Sequence, residues 1–255
     1  MASTKPRTVQ SVDKAMELLE VLLKYRRPMS LQELAQATGY PKSTLHALLA
    51  TLRCHEAVRQ DADGRYALGI RLFEYGCAVS GAWDITRIAR PYLERLAALS
   101  GASAFLAAMD GSNAIALDQC AAAGGLQVVP DIGSRLPLHA TSQGKLLLSQ
   151  LSDSEVLRRM QGAMQAFTPH TITEPQALLD TLRTIREDGY AVEDGEYKIG
   201  LRSVSAPVWD RSGHPRYALG VVGLYRRVAS PEFQDVIRRV TETASQLSEL
   251  LKSGV

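Results

Sequence analysis

Cysteine is scarce: the chain has three, Cys54, Cys77 and Cys120, odd in number and far apart. A disulfide framework is thereby excluded as the organising element, and a reducing compartment is the simpler reading. Long apolar runs are missing too. No stretch approaches the ~18 consecutive apolar residues that a membrane span needs. The first apolar stretch, 15–23, is broken by Glu17 and Glu20, which the apolar centre of a signal peptide would not contain. A cytoplasmic protein with no membrane partner is the expectation. Catalytic signatures are equally thin. His139, His170 and His214 have no neighbouring Cys or Glu at metal-ligand spacing. Gly144-Lys145 is not a phosphate loop, because His139 stands where the leading glycine belongs and Leu146 where a magnesium-binding Ser or Thr belongs. Ser142 lacks a G-x-S-x-G context. Neither catalysis nor a metal or cofactor is expected.

What is present describes a folded chain of one or two domains: 255 residues, 45% hydrophobic and 22% charged. The net charge of +2 is unevenly spread. Residues 1–76 carry eleven Lys and Arg against eight Asp and Glu, and the remainder is slightly acidic. A basic first third suits phosphate attraction confined to one domain, although many neutral domains differ by as much.

Local patterns give that first third a shape. Ser11 is placed to cap a helix over 11–24, with Val12, Ala15, Met16, Leu19, Leu22 and Leu23 at helical spacing. Ser30-Leu31-Gln32-Glu33 reads as a capping box for a short second helix that stops at Gly39. Pro41 suits the first turn of a third helix, whose buried stripe is Leu45, Leu48, Leu49 and Leu52. Two strand-like runs, 57–60 and 65–68, flank Asp61-Ala62-Asp63-Gly64, a hairpin signal. Helices over 70–80 and 83–100 follow. Beyond them, strands near 104–109, 113–119, 126–130, 190–193, 202–208 and 216–224 are interleaved with helices over 142–150, 153–161, 175–188 and 231–251. That alternation predicts a sheet domain with helices packed against it.

A helix, a glycine turn and a second helix with one apolar and one small polar face form a unit able to enter the major groove of DNA. Lys42, Ser43, Thr44, His46 and Ala47 open the second helix of that pair, and Arg53 lies further along it. Arg59 and Arg65 sit on the hairpin, where a wing would grip phosphates. The same pattern also fits a three-helix module that contacts protein, with its basic side chains simply solvated.

Several strings together resemble the IclR-type family of bacterial regulators. They are Val9-Gln10-Ser11-Val12-Asp13-Lys14-Ala15, Leu31-Gln32-Glu33-Leu34-Ala35, Pro41-Lys42-Ser43-Thr44-Leu45-His46 and Gly64-Arg65-Tyr66-Ala67-Leu68-Gly69, followed by His139-Ala140-Thr141-Ser142-Gln143-Gly144-Lys145, Gly189-Tyr190-Ala191-Val192 and Gly200-Leu201-Arg202-Ser203-Val204-Ser205-Ala206-Pro207-Val208. The resemblance runs in order along nearly the whole chain. It implies an α+β protein: a winged helix-turn-helix domain over 1–77 that includes the start of a linker helix, then a GAF-like effector-binding and oligomerisation domain over 78–255. It further implies a homodimer or tetramer on double-stranded operator DNA, and a small organic acid as effector. Members often carry Arg after the helix-three histidine, where this chain has Ala47, so base readout would rest more on Ser43, His46 and DNA shape.

The same resemblance assigns the effector to Ser142, Gln143, Glu193, Asp194, Ser203, Gly220 and Val222. Members that sense small keto acids resemble Gly-Ala at Ser142-Gln143, Cys at Ser203 and Ser at Gly220 and Val222. The departures imply a larger, partly apolar or aromatic acid, with space gained at Gly220 and with Ser142 and Gln143 as anchors. Alternatively, these substitutions merely repack a core. Two rival functions stay open from the residues alone: an enzyme with an appended helix-turn-helix, and a protein-binding sensor. Repressor and activator are both compatible with the sequence.

Overall fold

The computed structural model describes residues 8–80, 85–122, 131–161, 164–210 and 212–253. The chain divides into two compact units, residues 1–84 and 85–255.

The first unit contains α1 (Gln10–Tyr25), α2 (Leu31–Thr38), α3 (Lys42–Cys54), the hairpin β1 (Val58–Gln60) and β2 (Tyr66–Leu68), and α4 (Ile70–Ser80). Leu18 and Leu22 of α1, Leu34 of α2, Leu45 and Leu49 of α3, and Val58 and Tyr66 of the hairpin close on Met29 as one buried core. Leu48 and Leu52 pack against it only partly buried. The expected start of α1 needs correction. Val9, not Ser11, is the N-cap, because the Val9 carbonyl already accepts from Val12 N and Asp13 N at 2.9 and 3.1 Å. Pro41 likewise stands just before α3 rather than within its first turn, and its carbonyl accepts from Leu45 N at 3.1 Å.

The capping box forms as the sequence predicts. Ser30 Oγ accepts from Glu33 N at 3.3 Å, and Glu33 Oε2 accepts from Ser30 N at 2.7 Å. That backbone donor, helped by Arg27, holds the Glu33 carboxyl down to about 2. Gly39 ends α2 with φ of +72°, which lets the chain reverse within two residues into α3. In the wing, Asp61 Oδ1 accepts from Asp63 N and Arg65 N, fixing the turn, while Met29 and Tyr66 exchange backbone hydrogen bonds and tie the wing to the helices.

The second unit has α5 (Ile85–Ser100), β3 (Ser103–Asp110), β4 (Asn113–Cys120), β5 (Arg135–Pro137), α6 (Ser142–Ser149), α7 (Asp153–Arg159), α8 (Pro175–Asp188), β6 (Ala191–Asp194), β7 (Arg202–Trp209), β8 (Pro215–Gly223) and α9 (Pro231–Ser253). Six strands form one sheet in the order β5-β4-β3-β8-β7-β6, with every ladder antiparallel. The helix expected from residue 83 is described from Ile85, and the strand expected over 126–130 lies outside the described residues. The short β5 carried no sequence signal, since three residues cannot show alternation.

Helices α5 and α9 pack on one face of the sheet, α6 on the other with α8 behind it. The segment that leads from β5 into α6 folds back tightly against the helix because Gly144 has no Cβ: one built there would lie 2.4 Å from the Leu138 carbonyl oxygen. Leu146, Leu147 and Leu148 then join Ala191 and Ala218 of the sheet and Leu178 and Leu182 of α8 in a single core. Among the described residues no helix is long and apolar enough to cross a membrane.

The capping box makes a direct test. Ser30→Ala should lower stability against urea by about 1 kcal/mol, whereas Ser30→Asp should retain most of it. Equal midpoints for Ser30→Ala and the parent chain would show that α2 does not depend on its cap.

Candidate functional site

Two sets of residues are brought together, one in each unit. In the first, the leucines of α3 face inward, and Lys42, Ser43, His46, Ala47 and Arg53 are exposed, with Thr44 half-buried. Helical periodicity places Ser43 and Ala47 across from the Leu45–Leu49 stripe and His46 on its flank, whereas Lys42 and Arg53, on the Leu49 side, are exposed because they stand at the two ends of the helix. Among the described residues, Lys42 and Arg59 have no ion-pair partner. Arg53 donates to Gln60 Oε1 at 2.7 Å, joining α3 to the wing. Arg65 is less free than the hairpin pattern suggests. Its guanidinium donates to Glu33 Oε2 at 2.9 Å, and Arg27 holds the other oxygen at 2.8 Å. Sequence could not show this, because 33 and 65 meet only through the fold.

The second set lies on the α6 side of the sheet. Register places Ser103, Val222, Ser203 and Glu193 in one row across β3, β8, β7 and β6. The adjacent row is Phe105, Gly220, Ser205 and Ala191. A sheet face that carries three serines and a glutamate, all under 5% exposed, is unusual for a core. The N-terminus of α6 sits over the second row: Ser142 Oγ and Ser205 Oγ are 2.8 Å apart, and Ser142 Oγ donates to Gln143 Oε1 at 3.3 Å. Thr141 caps the helix by accepting from Gly144 N at 3.2 Å. The amide hydrogens of Ser142 and Gln143 have no acceptor among the described residues, which leaves the helix terminus able to hold an anion.

Glu193 is buried with both oxygens engaged. Oε1 accepts from Tyr197 N and Oε2 from Ser203 Oγ, each at 3.1 Å. Burial outweighs these bonds and raises its carboxyl above the usual glutamate range. Lys145, 2% exposed, donates to Glu196, whose second oxygen is buried without a partner among the described residues. Among the residues expected at this site, Ser142, Gln143, Glu193, Ser203, Gly220 and Val222 are gathered. Asp194 is not: strand alternation turns it to the opposite face, where it is exposed and paired with Arg202 at 2.7 Å. The space expected at Gly220 is also absent. The Phe105 ring fills it, so that a Cβ at Gly220 would lie 2.6 Å from Phe105 Cζ and 2.2 Å from the Val204 carbonyl oxygen. Phe105 instead forms an apolar wall with Leu201 and Val222. Phe105, Ser205, Lys145 and Glu196 escaped the sequence reading. Alternation within the strands was the only signal for Phe105 and Ser205, and it does not say which face carries a ligand.

Comparison with known proteins agrees with this division. Residues 11–62 match the IclR helix-turn-helix domain, and residues 77–249 match the bacterial transcriptional regulator IclR C-terminal domain. The chain is 31% identical over 245 residues to the HTH-type transcriptional regulator XynR of Escherichia coli K12, covering 95% of this chain and 97% of that one. It is 33% identical over 253 residues to the acetate operon repressor of Salmonella typhimurium, covering 97% and 92%. In three dimensions it superposes on an IclR homologue of Microbacterium hydrocarbonoxydans, crystallised with 4-hydroxybenzoate, with a TM-score of 0.83 at 21% identity over 96% of this chain and all of that one.

Glu193 gives the site a pH signature. A carboxyl whose value is raised on folding contributes stability below about 4.5, the unfolded value, and that contribution is lost as pH rises through the folded value. Urea unfolding of Glu193→Gln from pH 4 to pH 8 should therefore show a flatter profile than the parent chain. Identical profiles would mean that Glu193 titrates as an ordinary glutamate.

Proposed function

Because the chain belongs to the IclR family of bacterial transcriptional regulators, we propose that it controls a catabolic operon by reading operator DNA with α3 and releasing or engaging it when an organic acid binds beside α6. The relatives are transcriptional regulators, and the chain is a ligand-responsive DNA-binding regulator rather than an enzyme.

On the DNA side, the carrying observation is the exposed polar arc of α3 with its unpaired Lys42. Lys42, Arg59 and Arg53 contact phosphates; Ser43 and His46, near the start of the helix, reach base edges. Thr44 and Ala47 shape the approach of the backbone. Arg65 joins as a phosphate contact once it leaves Glu33.

A second copy supports this arrangement. Val9, Val12, Met16 and Leu23 lie along α1 at helical spacing, each more than half exposed, and Ile70, Phe73 and Tyr75 are exposed on α4. Apolar surface of that extent marks an interface, and a homodimer would cover it while presenting two recognition helices to an inverted repeat.

The effector is an organic acid. Its carboxylate sits at the free amides of Ser142 and Gln143, and its apolar body rests against Phe105, Leu201 and Val222. Glu193 disfavours a second carboxylate nearby and favours a hydroxyl that can donate to it. A hydroxylated aromatic acid such as 4-hydroxybenzoate meets these demands, and the M. hydrocarbonoxydans homologue accommodates that compound in the same architecture.

Selection of genomic fragments by the purified chain tests the main reading: enriched fragments should share inverted half-sites. Fragments without any common repeat would remove the regulator assignment. Lys42→Ala should weaken binding to specific and random DNA alike and reduce the salt slope by roughly 0.9 for each phosphate that the side chain had neutralised. An altered sequence preference with an unchanged slope would move Lys42 to the base edges. Calorimetric titration of the whole chain should favour 4-hydroxybenzoate over glyoxylate and pyruvate. Tight binding of the two small keto acids alone would overturn the aromatic-acid assignment.

A further inference from the structure

A separate cavity of about 450 Å³ opens in the second unit, between the end of β5 and the segment that follows α7. Its volume falls in the range of small-molecule sites. Ser142, Gln143, Glu193 and Ser203 do not line it. The lining mixes polar groups with an apolar, partly aromatic surface, the latter supplied by Leu138, Met160, Met164, Phe167 and Tyr197. Phe167 meets the Tyr197 ring edge-on at 5.1 Å, and the His139 ring lies 5.9 Å from Phe167. His139 is itself 6% exposed and fixed by the Gln165 carbonyl at 3.0 Å from Nε2.

Charge around the cavity is of one sign. Arg135 and Arg159 line it, and among the described residues no Asp or Glu does. Their carboxylate neighbours, Asp110 at 3.4 Å from Arg135 and Glu155 at 2.9 Å from Arg159, stand outside the lining. Arg159 is anchored further by donating to the Gly111 carbonyl, whereas Arg135 is largely exposed with a long, weak ion pair. A guanidinium with this freedom can give both hydrogens of its fork to an incoming carboxylate. Methionine and aromatic side chains below it suit a flat apolar body, since thioethers and ring edges adapt to aromatic surfaces.

We propose that this cavity is a second ligand site, taking an organic anion with a flat apolar body, with its acid group on Arg135 and its rings against Met160, Met164 and Phe167. The proposal is independent of what binds beside α6.

The probe is 2-naphthoate, titrated into the full-length chain carrying carbon-13-labelled methionine methyls, with the neutral 2-naphthalenemethanol as control. Saturable shifts of the Met160 and Met164 methyl resonances are expected with naphthoate and not with the alcohol. Arg135→Gln, at an exposed position where folding is not at stake, should weaken the binding about tenfold, the worth of one charge-assisted hydrogen bond. Gln143→Ala should leave the titration unchanged. Unmoved Met160 and Met164 methyls, equal response to the alcohol, an unaltered affinity in Arg135→Gln, or loss of the response in Gln143→Ala would each overturn the proposal.

Discussion

Helix α6 can lie directly on the sheet because Ala191 and Ala218 present only methyl groups to it, and the segment that leads into the helix folds back against it because Gly144 gives no Cβ to the Leu138 carbonyl. Close packing of that kind leaves no slack, so the position of the helix N-terminus is set by the sheet itself. Ser142 touches Ser205 at one end of the contact, and Lys145 reaches Glu196 one turn later. The two free amides at the helix start are therefore fixed relative to Glu193 and the Phe105 wall, with no loop needed to aim them. A buried ion pair of this sort contributes little net stability against its desolvation cost, and holding geometry is the better account of it.

The two units solve opposite problems. In the first, a small core of leucines is enough, because its task is to present a rigid arc of polar groups to the outside. In the second, polar groups must be kept inside, which demands partners for nearly every one. Ser103, Ser203, Ser205 and Glu193 share a face that would otherwise be filled by aliphatic side chains. Tyr197 links this face to the neighbouring cavity, its N–H on Glu193 and its ring on the cavity wall.

Much of the first unit could be read from the sequence because its signals are local. The capping box at Ser30, the glycine at 39 and the Asp61 turn each specify their own few residues, and the structure reproduces them. The start of α1 could not be read, since Val9 caps through its backbone and leaves no side-chain signature. In the second unit, strands and helices were legible but their faces were not. Glu193 and Asp194 are equivalent as a sequence pair, and only the ladder with β7 decides that one is buried and the other exposed. Gly220 shows the limit most clearly. A missing side chain suggested room, yet room depends on what stands opposite, and Phe105 is 115 residues away in the chain.

The carboxylate of Glu33 is shared by two guanidiniums while also closing the start of α2. If the wing arginine swings towards a phosphate, Arg27 and the Ser30 amide stay behind, so the acid is never stranded. Glu33 then acts as a parking place: it steadies the wing in the free protein and yields its guest without unwinding the helix that it caps.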